Sequence, residues 1–285
     1  MLHLYGLDPK SWKRWRSLAG QCQRSLTAQQ FAPGDPGAIL KDVDLLLEFV
    51  GPGGIVTKSR NASLPREVLA ELNAKSSHPV QLALKRANLR DYPNLAGIFI
   101  LLRVMDLLQM KGSRLVVCPD ALRLWRSLNS AEQYFALLEA LLFQAQSDVL
   151  GGESTREDAQ SIVLTVFLLG QLSDRWRNFD HYQSVRFFGP RGELPPWRLF
   201  VLQQLGLIEI HPADFSKQDR GNWGGDGWLV GGAKLTPWGT AVAWALLEFV
   251  KEWEEEREEA DSKGQPESEE EATEATPPPE FLNTP

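Results

Sequence analysis

The sequence predicts a mainly α protein with short β-hairpins. Long runs repeat apolar residues at helical spacing, and brief strand-type stretches such as "LIEI" and "RLVV" sit between them, bounded by Gly and Pro. The chain has 285 residues with 43% hydrophobic content, which suits a globular core and leaves room for two ordinary domains. The best candidate for a spanning helix, "LAGIFILLRVMDLLQM", is interrupted by Arg103 and Asp106, and "SIVLTVFLLG" is too short. The first residues lack the basic, apolar and small-residue order of a secretory leader. Cys22 and Cys118, far apart, fit a reducing compartment without a disulfide framework. The expectation is a cytoplasmic protein with no membrane partner.

The elements follow in order. Residues 1–36 form a basic, aromatic arm in which Lys13, Arg14 and Arg16 accompany Trp12 and Trp15, and "APGDPG" breaks the chain after it. "AILKDVDLLLEFV" is a helix with Ile39, Val43, Leu46, Leu47 and Val50 on one side, ended by "GPGG". "GIVTKSRNASLP" is a strand and turn, and "LPREVLAELNAK" a helix with Ser63 as N-cap. "NLAGIFILLRVMDLLQMKG" reads as one apolar helix capped by Asn94 and stopped by Gly112. "SRLVVCPD" is a strand and turn. A helical stretch follows, broken near Asn129–Ser130, where Ser130 and Gln133 have capping-box spacing. After the polar boundary "SDVLGGESTRED" comes a helix reaching "SDRWRN", then an arginine- and aromatic-rich loop. The helix "PWRLFVLQQLG", the strand "LIEIHP", a glycine-rich loop, the strand stretch "WLVGGAKLT" and a last helix from Pro237 complete the body. The division expected is 1–36 arm, 37–150 and 151–260 folded units, and 261–285 a disordered acidic tail.

One local pattern recurs. "IVTKSRNASLPREVLAEL", "RLVVCPDALRLWRSL" and "KLTPWGTAVAWALL" each run from strand-type residues through Thr or Cys and a polar turn into an apolar-periodic helix. The order of helix, strand, loop, strand and helix in "VLQQLGLIEI…WLVGGAKLTPWGTAVAWALLEF" resembles the wing half of a winged helix-turn-helix domain. "LLRVMDLLQMKGSRLVVCPDALRLW" resembles the same half with a minimal wing. The stretch from Asp44 to Phe143 is also similar to an uncharacterised helical region of plasmid and transposon passenger-type open reading frames. The resemblance implies a mainly α fold with short β-hairpin wings, arranged as tandem winged-helix-like units.

That resemblance makes double-stranded DNA the first expected partner and another protein the alternative; without a catalytic or metal-ligating constellation in the sequence, an uncharacterised enzyme is a remote third reading, and no cofactor or metal is expected. Residues 251–285 hold thirteen acidic and three basic residues, so a net charge of −10 sits beside a body at +3. The mild positive charge of the body permits nucleic-acid contact without arguing for it. The helix before the first hairpin is apolar nearly all round and belongs in a core or an interface. The contact residues expected are Arg175, Arg177, Arg186, Arg191 and Arg198, interleaved with aromatics, then Lys217, Arg220, Trp223 and Trp228 in the long loop, and Lys13, Arg14 and Arg16 in the arm. The histidines His3, His78, His181 and His211 are isolated in sequence, and no phosphate loop or nucleophile elbow accompanies the glycine-rich stretches.

Overall fold

The computed structural model describes residues 38–57, 64–82, 86–145, 165, 168–179, 195–213, 230–243 and 246. Helix α1 (Ala38–Val50) leads to strand β1 (Ile55–Val56), helix α2 (Arg66–Lys75), a 3-10 turn at Leu89–Asp91 and helix α3 (Pro93–Val104). The hairpin β2 (Leu108–Lys111) and β3 (Arg114–Val117) follows, then α4 (Pro119–Ser127) and α5 (Ser130–Phe143). Residues 168–171 are helical. Strand β4 (Arg177–Asn178), helix α6 (Pro196–Gln204) and strands β5 (Ile208–Pro212) and β6 (Val230–Leu235) come next. A closing helix, α7, covers residues 237–243 and continues at 246. The chain is mostly helical, with two small antiparallel sheets.

Local chemistry accounts for most boundaries. The five apolar positions expected to face inward on α1 are buried, and Gly51 ends the helix at φ 61° with its N–H on the Leu47 carbonyl at 2.9 Å. The expected long helix from Asn94 to Met110 is corrected: α3 stops at Val104. Asp106 adopts φ 59°, which no helix tolerates, and Leu108–Lys111 pairs with β3 instead. The apolar run through Leu107, Leu108 and Met110 suits a half-buried strand as well as a helix. Two expected caps are also corrected. Pro93 opens α3, and the side chain of Asn94 is buried and used elsewhere. The capping box at α5 is made by Asn129 and Glu132, not Ser130 and Gln133. The strand β4 takes the place of the end of the helix expected to reach "SDRWRN". The arm, the acidic tail and the Ser63 cap lie outside the described residues.

The two sheets share one plan. Their strand orders are β1-β3-β2 and β4-β6-β5, so the last strand of each half lies in the middle. Their registers correspond pair by pair: Ile55 faces Leu115 as Arg177 faces Ala233, and Leu108 faces Val117 as Ile208 faces Leu235. The corners correspond as well. Asp106 and Gly206 both take positive φ at the helix-to-strand turn. Cys118 N–H donates to Leu107 O at 3.0 Å, and Thr236 N–H donates to Leu207 O at 3.1 Å. The halves differ in hairpin length: Gly112–Ser113 alone joins β2 to β3, whereas residues 213–229 join β5 to β6.

The equivalent helices α3 and α6 pack against each other within one hydrophobic core that draws on both halves. Every residue of α3 from Pro93 to Leu102 is buried, and so are Trp197–Leu202 and Gln204 on α6. The crossing is close at Gly97, where an added Cβ would collide with Val201 Cγ2 and sit 3.0 Å from the Trp197 carbonyl oxygen. Polar groups bridge the same junction. The buried Asp42 carboxylate of α1 accepts from Gln204 Nε2 of α6 at 2.7 Å and from the Ser77 backbone N–H at 2.8 Å. Asn94 Nδ2 lies 2.8 Å from both Asn73 Oδ1 and Ser76 Oγ. These bonds satisfy groups that would otherwise be costly to bury.

Candidate functional site on the outer face of the second sheet

Strand alternation builds this face. Ile208, Ala233 and Leu235 point into the core. The paired residues Glu209 and Lys234, and His211 with Gly232 and Asn178, share the opposite face. Gly231 and Gly232 let the imidazole of His211 lie across β6: a Cβ on Gly231 would come 2.8 Å from His211 Nδ1, and one on Gly232 would overlap Nε2. The ring nitrogens sit 3.2 Å from Pro212 O and 3.2 Å from Asn178 Oδ1.

Trp176, just before β4, covers this imidazole with ring centroids 4.9 Å apart. Trp176 itself remains 44% exposed. Lys234 Nζ stands 5.1 Å from the indole centroid and 3.0 Å from Glu209 Oε2. The ammonium therefore meets both an aromatic face and a carboxylate. Arg175 is exposed beside Trp176. Arg177 is half-buried: it donates to Gln171 O at 2.9 Å and lies over the Phe179 ring. The face thus joins a partly exposed indole, an imidazole and the Lys234 ammonium at the root of the long hairpin connection.

The expected contact residues are distributed unevenly. Arg175 is exposed next to Trp176 in the chain, whereas Arg177 pairs with the inward-facing Ala233 and lies on the opposite side of the sheet. Arg198 is 1% exposed, and its guanidinium donates to Leu141 O at 3.2 Å and Ala145 O at 3.1 Å. It caps the end of α5 from inside the core and stacks 4.8 Å from Trp197, so no partner can reach it. Arg186, Arg191, Lys217, Arg220, Trp223, Trp228, Lys13, Arg14 and Arg16 lie outside the described residues. His211 and Lys234 were not among the expected contacts. The signal for them was the glycine pair of β6 opposite a histidine in β5.

A second polar cluster surrounds Asp42. Ser77 Oγ donates to Asp42 Oδ2 at 2.5 Å and lies 3.2 Å from His78 Nδ1. The serine stands between acid and imidazole and donates its hydroxyl hydrogen bond to the acid. It therefore pins the turn after α2 onto α1.

Electrostatic perturbations lie away from the face. Partial burial and the Glu48 carboxylate hold Asp44 above the usual carboxylate range, with Arg126 opposing them. Burial lowers Arg103, while Asp106 acts against the shift. Among the described residues, no group of three or more His, Cys, Asp or Glu is placed to hold a metal ion, and no helix is long and apolar enough to cross a membrane. No protein-family model matches the chain, and no curated protein or solved structure matches it.

Proposed function

We propose that the chain is a non-enzymatic binding protein built from two winged-helix-like units, and that its partner is another protein. Two features support the units: the order α3–β2–β3–α4, repeated as α6–β5–β6–α7, and the common sheet order. One observation carries the choice of partner. A winged helix that reads DNA lays the helix before its hairpin in the major groove, with polar side chains toward base edges. Here the helices in that position, α3 and α6, bury each other. Their side chains serve the core.

The surface offered to a partner is the outer face around Trp176. A half-exposed tryptophan in contact with His211 and Lys234, the latter paired with Glu209, has the composition of an interface hot spot with a polar rim. The hairpin rooted beside it is the longer of the two, and loops on rigid scaffolds commonly carry binding. A second reading, duplex binding through the first hairpin, is favoured by Lys111 and Arg114 flanking Gly112–Ser113 in a hairpin without acidic residues.

Two assays separate the readings. In the first, the full chain is titrated against a labelled duplex at rising salt. In the second, it serves as affinity bait beside Trp176→Ala. The expected result is no shift of the duplex and a captured protein lost with Trp176→Ala. A duplex shift that falls steeply with salt and is lost in Lys111→Gln would replace the protein-partner reading with the second one.

A further inference from the structure

We infer that the outer face of the second sheet is occupied in cis by the chain's own acidic C-terminal segment, which competes with the partner for it. The inference rests on that face being an interaction surface. The face has the chemistry that a mixed acidic and aromatic segment requires. Lys234 lies over the indole of Trp176, close enough to both ring and carboxylate to bind either, and the exposed Arg175 precedes Trp176 in the chain. Residues 251–285 supply the complement: thirteen acidic side chains against three basic ones, with Trp253 and Phe281 among them.

Connectivity favours this segment over an acidic partner in solution. Helix α7 starts at residue 237, immediately after β6, the strand that carries Lys234. The acidic segment begins at residue 251, soon after β6 and α7, so it is covalently tethered to the sheet that carries Lys234. A segment on the same chain meets the face at a higher effective concentration than the same segment free in solution. A body at +3 joined to a segment at −10 adds a long-range attraction that salt would weaken.

The test uses the full-length protein and a zero-length carbodiimide, which joins amines to carboxylates in contact, followed by peptide mass spectrometry of the monomer. Lys234 should couple to Glu209, which serves as the internal control at 3.0 Å, and also to a carboxylate between Glu252 and Glu280. The second link should fall several-fold at about 0.5 M salt, in Trp176→Ala, and in the combined Glu269→Gln, Glu270→Gln and Glu271→Gln variant, while the first persists. Coupling of Lys234 to Glu209 alone in the unmodified protein would overturn the inference. Affinity capture run alongside keeps the two ideas apart. Partner binding that depends on Trp176 without any tail link leaves the interaction face standing and removes the tail from it. A tail link with capture indifferent to Trp176→Ala refutes competition at this face and the interaction reading with it.

Discussion

Replacing Gly97 with alanine tests the α3–α6 crossing, because two effects pull in opposite directions. In an ordinary helix interior the change stabilises by about 0.5–1 kcal/mol, since glycine has more backbone entropy to lose. At Gly97 the new methyl would collide with Val201 Cγ2 and lie 3.0 Å from the Trp197 carbonyl oxygen. The valine methyl can rotate or shift, but the carbonyl belongs to the α6 backbone, so the helices must move apart. Overpacking of this kind costs about 1–3 kcal/mol, and the net prediction is a loss of about 1–2 kcal/mol. Val201→Ala removes two buried methyl groups and costs about 1.6 kcal/mol alone. Combined with Gly97→Ala it should cost less than the sum of the two, because the collision with Cγ2 has gone. Urea unfolding followed by circular dichroism gives the four free energies of this cycle. If Gly97→Ala stabilises the protein, or the effects add without coupling, the two helices do not meet as described.

Three further predictions concern the correspondence between halves and the surface charge. Asp106→Gly puts into the first corner the residue that the second corner already has at Gly206. It should raise stability by about 0.5–1 kcal/mol at most, offset in part by loss of the attraction to Arg103. Cys118→Thr copies Thr236, whose hydroxyl donates to Gly206 O at 2.6 Å and accepts from Gly239 N–H at 2.8 Å. The counterparts are Asp106 O and Ala121 N–H, and the gain expected in denaturant unfolding is about 1 kcal/mol. Asp44 has its native pKa above the unfolded value, so the native state holds the proton more tightly. Its contribution is most favourable below the unfolded pKa and is lost as pH rises through the folded one. Asp44→Asn should therefore raise the melting temperature at pH 7 and leave it nearly unchanged near pH 3. A larger gain at the acidic end would contradict the direction of the shift.

The parts of the fold legible in the sequence are those fixed by local chemistry. The period of α1 identified its five inward apolar residues, and the Thr-Pro and Cys-Pro steps marked where β6 and β3 give way to helices. The end of α3 was hidden because "RVMDLLQM" satisfies helix and strand patterns equally, and only pairing with β3 decides between them. The role of Arg198 was hidden for a different reason. Among aromatics an arginine suggests an exposed contact, but the carbonyls of Leu141 and Ala145 that hold it, at and just past the end of α5, lie more than fifty positions earlier. The face around Trp176 draws single residues from the approach to β4, from β5 and from β6. No spacing in the sequence brings Trp176, His211 and Lys234 together. The apolar character of α3 marked it for a core or an interface, though not that its counterpart α6 would pack against it.

The crossing of α3 and α6 has one more consequence. Positions 97 and 197 lie at matching places on corresponding helices, yet one is glycine and the other tryptophan. Two identical copies meeting through this helix would carry the same residue on both sides and could not combine a gap with a bulky neighbour. Covalent linkage frees each half to specialise. A recess can be carved in one without weakening the other, and their outward faces can diverge while the seam between them stays closed.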